Sequence, residues 1–305
     1  MDYPVLFAAG QFREGDLAVY IPVDALVPRD DPRWAFLEGH CRIKAKRLRG
    51  IFSCGLLTEL PDSLPAALPD GPSQRPWQQG DAAAVALGIV QYEPPEPALT
   101  GGENEKNPGF LPIYTDIEGL RRYPKLLVVG EPVVLLEKVH GCNARYCFKE
   151  GRLWCGSHHQ IKRQSADSLF WRMAEKYTLP DKLARREGWV FYGEIFGWVQ
   201  DLRYGATRAT DCWLVFFDVF DPRSGRYLDW NAVVELAAEL SLPLVPEICR
   251  GPWSPELKTH AEGMSEVHPG TLREGFVVRP LQERIDDQLG RVILKLPGET
   301  YLTRK

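Results

Sequence analysis

The amino-acid sequence predicts an α+β protein built on mainly antiparallel sheet and preceded by a small β-rich module. Three observations carry this reading. Short apolar segments broken by turns crowd residues 12–60, longer strand-like segments recur beyond residue 112, and the helical segments between them follow no βαβ rhythm. With 305 residues the chain is long enough for two domains that each bury a core.

In the first part, FREGDLAVYIPVDALVP has a Glu-Gly turn before its apolar run, and RIKAKRLRGIFSCGLL alternates before becoming apolar. Pro and Gly crowd residues 61–80, which read as a surface loop or insertion. The polar stretch EPPEPALTGGENEKNPGFLP reads as an interdomain linker. The expected division is therefore 1–92, a linker over 93–112, and a second domain over 113–305.

In the second domain LLVVGEPVVLLEKV, ARYCFKEGRLWCG (a hairpin around Glu150-Gly151), GWVFYGEIFG, CWLVFFDVFD, EGFVVRP and RVILKL are strand-like. Helices are expected over 165–177, from a Ser cap, and over 230–240, stopped by Pro243.

A formal net charge of −4 means that a polyanionic partner would have to be held by local basic patches. Seven cysteines, an odd number with no CxxC pair, point to neither a disulfide framework nor a zinc knuckle and fit a reducing compartment. The start lacks a basic n-region, and no stretch approaches the length of a membrane span. These features give the expectation of a cytoplasmic protein with no membrane partner, and a monomer.

Lys138 ends an apolar run and is followed by His140, Gly141 and Asn143. By itself such a lysine snorkels to water. Charges recur at other strand ends, however: Glu194 in GEIFG, Asp218 in FFDVFD, Glu274 before GFVVRP and Lys295 in VILKLP. Half-buried charges are unfavourable unless paired, so these groups are expected to share one cleft. A neutral lysine is a nucleophile, and lowering its pKa from about 10.4 by about three units takes roughly 4 kcal/mol. Burial, Lys295 and a bound metal are expected to provide that shift. Attack on a nucleotide α-phosphate would give a Lys–AMP phosphoramidate, with carboxylates holding the metal and ribose and an aromatic stacking on the base.

EKVHGCN, FYGEIFG, FFDVFD, EGFVVRP and VILKLP resemble, in order, motifs I, III, IIIa, IV and V of the covalent nucleotidyltransferases. Within that superfamily they are most similar to the ATP-dependent RNA ligases of the phage and Deinococcus nick-sealing type. Residues 14–57 and YTDIEGLRRYP also resemble the Deinococcus-type branch. The resemblance implies a nucleotidyltransferase (ATP-grasp-like ligase) core behind an OB-like module, with Met1 entering that module after its first strand.

Carried over by position, the resemblance makes Lys138 the adenylated residue. Glu194 would bind the ribose hydroxyls, Phe217 would stack on adenine beside Asp218, and Glu274 and Asp218 would lie on the metal side. Lys295 would contact the phosphates, His140 would assist lysine adenylation, and Asn143 would act in sealing. Glu137, Gly141 and His158 would complete the nucleotide site. The implied reaction forms Lys–AMP from ATP with Mg²⁺ or Mn²⁺, transfers AMP to a 5′-phosphate, and joins that end to a 3′-hydroxyl. The implied substrate is nicked or broken RNA, including an RNA/DNA hybrid, in RNA repair.

Two motifs depart from the pattern. His158 stands where the family usually has an arginine, with Lys162 or Arg163 as substitutes, and Pro297 replaces a second phosphate-contacting lysine, for which Arg291, Arg304 or Lys305 are candidates. Arg42, Lys44 and Lys46 share one face if they form a strand; a solvated edge is one reading, but a stripe that tracks a nucleic-acid backbone is the expected one, because an acidic chain acting on nucleic acid needs its basic charge concentrated. VQDLRYGATR, residues 199–208, resembles a family loop near the nucleotide, the other reading being a polar surface loop. A capping-type guanylyltransferase and a non-catalytic RNA-binding relative remain as alternatives.

Overall fold

Apolar alternation in the first part of the chain becomes six short strands in the computed structural model, which describes residues 1–60, 77–92 and 101–304. They are β1 (Val19–Ile21), β2 (Ala25–Leu26), β3 (Lys46–Leu48), β4 (Ile51–Ser53), β5 (Leu56–Thr58) and β6 (Val90–Gln91). They pair antiparallel as β1 with β5, β2 with β6 and β3 with β4. Val19, Ile21, Ala25, Val27, Trp34, Ile43 and Leu87 form the main core beneath them. Ile43 and Ala45 are buried while Lys44 and Lys46 are exposed, so the alternation read from the sequence holds here, although Arg42–Ala45 do not form a continuous strand. This unit spans Met1–Pro95 with Leu302–Lys305, and a second unit spans Glu96–Tyr301.

The second unit holds two larger sheets. One has the order β15-β14-β13-β10-β11-β12-β7. Its strands are β7 (Asn104–Glu105), β10 (Cys142–Lys149), β11 (Arg152–Gly156), β12 (Ile161–Lys162), β13 (Val190–Gly197), β14 (Cys212–Asp221) and β15 (Arg226–Tyr227). The other has the order β16-β9-β17-β20-β8, from β8 (Glu118–Gly119), β9 (Pro132–Glu137), β16 (Glu247–Pro252), β17 (Gly275–Pro280) and β20 (Leu294–Pro297). Only β20 with β8 is parallel in these two sheets; β18 (Ile285–Asp286) and β19 (Gly290–Arg291) form a separate ladder.

The hairpin expected at Glu150-Gly151 joins β10 to β11. Both residues have positive φ, +57° and +73°, the conformation of a two-residue turn whose twist matches its strands. Helices α1 (Leu169–Lys176), α2 (Leu179–Ala184) and α3 (Trp230–Leu240) pack apolar residues into the core that includes Tyr146, Phe191 and Phe216. The opposite face of the seven-stranded sheet packs Tyr192, Val190 and Cys147 against Leu111, Tyr114 and Ile293.

Three element readings change. The helix expected from Ser165 begins at Leu169, because the Ser165 hydroxyl accepts the Asp167 N–H at 3.1 Å in a local turn instead of opening the helix. Helix α2, too short for a periodic signal and carrying Pro180 in its first turn, was not expected. The stretches 61–76 and 93–100 lie outside the described residues, but the rest of the expected linker belongs to the second unit. Asn104–Glu105 pairs with Ile161–Lys162, and Leu111 is buried.

Candidate active site

Strand β9 delivers the lysine. Val133–Leu136 are buried, and at the strand's end the Lys138 N–H donates to the Gly275 carbonyl at 3.0 Å. That bond brings the end of β9 to the start of β17 and sets Glu274 beside Lys138. Glycine is required at 275, where a Cβ would lie 2.2 Å from the Leu296 carbonyl oxygen on the strand that carries Lys295. It is required again at 141, where a Cβ would lie 2.1 Å from the Ile195 oxygen. The close approach sets the Gly141 N–H near the Glu194 carboxylate, where it works to lower that carboxyl's pKa.

Lys138 Nζ is 2.7 Å from Glu274 Oε1, and Glu274 Oε2 is 3.3 Å from His140 Nδ1. Burial works to raise the Glu274 carboxyl, but Lys138 and His140 outweigh it and hold it at about 2. Burial pushes Glu194 up to about 7, with Lys138 opposing and Glu274 reinforcing the rise. Lys138 itself corrects a sequence expectation. Burial works to lower its pKa, yet Glu274 and Glu194 overcome it and the value is raised, so the resting amine is an ammonium. Lys295 is the amine that is lowered, by burial and by repulsion from Lys138.

Asn143 pairs with Glu194 across β10 and β13, and its Oδ1 is buried without a hydrogen-bond partner among the described residues. Phe217 sits at a bulge. Asp218 pairs with Tyr192 and Phe216 with Gly193, which leaves Phe217 as the extra residue of β14, edge-on to Tyr114 at 5.0 Å.

Two expected site residues are committed elsewhere. Asp218, expected on the metal side, is fully buried; it meets Arg279 at 3.1 Å and Arg291 at 2.6 Å, and accepts the Tyr114 hydroxyl at 2.7 Å. Its oxygens are saturated inside the protein. Glu137, expected at the nucleotide, accepts from Ser265 Oγ at 2.5 Å and from the N–H groups of Glu266 and Val267 at 2.7 and 3.3 Å. That carboxylate anchors the 265–267 turn.

The suggested substitutes for missing cations divide similarly. His158 is half-buried, and burial and His159 lower its pKa, so it is a neutral ring 3.7 Å from Asp116. Lys162 is buried on Gln160 at 3.2 Å, Arg163 pairs with Glu103 at 2.5 Å, and Arg291 is spent on Asp218 and Glu283. Lys305 lies outside the described residues. Arg42 pairs with Asp24 at 2.7 Å and lies 3.7 Å over the Tyr92 ring.

Several residues around His140 escaped the sequence reading. Asp201, Tyr204 and Gln200 come from the 199–208 loop, and Tyr301 from the end of the second unit. The loop's Asp and Tyr are visible in DLRYG, but nothing in the sequence ties them to His140, 61 and 64 positions away. Among the described residues no group of three or more His, Cys, Asp or Glu side chains could hold a metal ion. With both Glu274 oxygens engaged, a divalent ion would be held chiefly by substrate phosphates and water.

A family model described as RNA ligase matches residues 131–296, and an OB-fold domain model matches residues 2–60. No curated protein matches the chain. Among solved structures the chain is similar to Naegleria gruberi RNA ligase with PPi, at 22% identity and a TM-score of 0.82 over 99% of this chain and 90% of the other. Point mutants of the same ligase with ATP and Mn and with AMP and Mn each match at 21% identity and a TM-score of 0.82, over the same shares of the two chains. No helix among the described residues is long and apolar enough to cross a membrane.

Proposed function

The chain belongs to the RNA ligase family, and from that membership we propose that it joins a 3′-OH RNA end to a 5′-phosphate with ATP, through AMP carried on Lys138. The observation that carries this reading is the convergence of Lys138, Glu274, Glu194 and Lys295 within the segment matched by the family. The N. gruberi ligase, of like fold, has been solved with ATP and Mn and with AMP and Mn, which supports a nucleotide and a divalent ion as reactants here.

In the first step the Lys138 ammonium passes its proton to solvent, which its partly exposed side chain reaches, and the neutral amine attacks the α-phosphate. A bond forms between its nitrogen and phosphorus as the bond to pyrophosphate breaks. Triphosphate charge beside Lys295 and Lys138 weakens the ammonium's hold on Glu274, and Lys295 faces the leaving pyrophosphate. Glu194 at the sheet end accepts from the ribose hydroxyls, and Phe217 offers a face to the base. A 5′-phosphate oxygen then takes the AMP from lysine, and a 3′-hydroxyl attacks the activated end to release AMP, with Asn143 Oδ1 an acceptor for that hydroxyl.

The reading extends to RNA repair by a cytoplasmic monomer acting on nicked or broken RNA, hybrid duplexes included. The test is sealing of matched nicks whose 3′-OH strand ends in ribose or deoxyribose. A demand for ribose supports the reading. Equal sealing of both moves it to polynucleotide ligation at large, and sealing of neither in the presence of ATP and Mn²⁺ or Mg²⁺ rejects it.

A further inference from the structure

We infer that Asp201 is a positioning residue that fixes the ring of His140 and, through it, the carboxylate that holds Lys138. This deepens the proposed function and rests on it. One loop makes three bonds to two consecutive residues of the lysine's turn. Asp201 Oδ1 lies 2.6 Å from His140 Nε2, the His140 N–H donates to Tyr204 Oη at 2.7 Å, and Gln200 Nε2 donates to the Gly141 carbonyl at 2.6 Å. Asp201 Oδ1 also accepts the Leu202 N–H at 3.1 Å, which holds the side chain to its own backbone.

The chemistry of the ring gives this arrangement its consequence. An ionised carboxylate only accepts, so Asp201 requires His140 Nε2 to carry hydrogen. The ring is then oriented with Nδ1 at 3.3 Å from Glu274 Oε2, a carboxylate contact that takes a hydrogen on Nδ1 as well, and at 3.1 Å from Tyr301 Oη. Glu274 in turn presents its other oxygen to Lys138 at 2.7 Å. The order Asp201, His140, Glu274, Lys138 is continuous, with contacts at both ends of the imidazole. Asp201 has a side chain 63% exposed against 15% for His140, so replacing it removes the outer brace while disturbing little packing. A misplaced reacting group loses rate rather than substrate binding.

The experiment compares Asp201→Ala and Asp201→Asn with wild type in the full chain. It reads the single-turnover rate of Lys138–AMP formation against ATP concentration, the melting temperature, and ¹⁵N long-range NMR of the histidine rings. Expected for Asp201→Ala is a limiting rate at least about 10-fold lower, with half-saturation in ATP within about two-fold, an unchanged melting temperature, and loss of the fixed hydrogen on His140 Nε2. Asp201→Asn keeps an acceptor oxygen and is expected to recover most of the rate. The inference is overturned by a wild-type rate in Asp201→Ala, by Asp201→Asn as slow as Asp201→Ala, or by an unchanged His140 spectrum. A wild type that forms no adduct while its His140 spectrum responds to Asp201→Ala rejects the ligase reading and leaves the positioning intact.

Discussion

Lys138 Nζ and Glu274 Oε1 stand 2.7 Å apart, in a pair whose carboxylate is held at about 2 and whose amine is raised. The nucleophile of the proposed reaction therefore rests as an ammonium, and the pair must loosen before attack. In Glu274→Gln the larger of the two attractions that raise the lysine is gone, leaving Glu194 alone against burial, so its pKa falls. The rate at which a small acylating reagent labels Lys138, followed by peptide mass spectrometry across pH 6–10, is expected to rise at lower pH in Glu274→Gln than in wild type. The same or a higher onset in the variant would mean that Glu274 is not what holds the proton.

Glu194 gives a prediction about stability. Its carboxyl is at about 7 in the fold against an ordinary 4.5, because of burial. Between those values the folded chain keeps a proton that the unfolded chain has released, so stability falls as pH rises through that window and the loss is complete above it. Glu194→Gln cannot ionise. It should melt close to wild type at pH 4.5 and be more stable at pH 8, by at most about 3 kcal/mol from the shift and less because Lys138 loses a partner. Paired melts at the two pH values check this, and a constant offset would contradict it.

Asp218 is assigned to the fold and not to a metal. Asp218→Asn leaves the buried Arg279 and Arg291 undercompensated and is expected to destabilise the second unit by about 3–5 kcal/mol in denaturant titration. A variant of wild-type stability that loses its response to Mn²⁺ would restore the metal role.

How much of this was legible follows from where the partners lie. Lys138, Glu194 and Lys295 each interrupt or end a hydrophobic run and Glu274 precedes one, and a charge in such a place is visible without any structure. The hairpin at Glu150-Gly151 and helix α3 were equally local and equally visible. Glu137 is adjacent to Lys138 in the chain, but its partners are at 265–267, and Asp218 finds its arginines at 279 and 291. Those assignments depend on long-range pairing that residue type does not announce. The direction of the Lys138 shift is hidden for a similar reason: burial is apparent in the apolar strand, whereas the Glu274 carboxylate at contact distance is not.

The basic residues of the first unit carry a separate prediction. Lys44 and Lys46 are exposed, while Arg42 is already paired with Asp24. Changing Lys44 and Lys46 to Ala should lower the salt slope of single-stranded RNA binding by roughly 0.7 per residue, and Arg42→Ala should change it less. An unchanged slope in Lys44→Ala/Lys46→Ala would leave these residues as a solvated face.

The central claim is that Lys138 carries the nucleotide, and covalent labelling tests it most directly. The protein is incubated with labelled ATP or GTP and a divalent ion, denatured, digested and mapped. The account predicts one AMP bonded to Lys138 from ATP, absent in Lys138→Ala. Labelling from GTP alone, an adduct on another residue, or none above the Lys138→Ala background would contradict it.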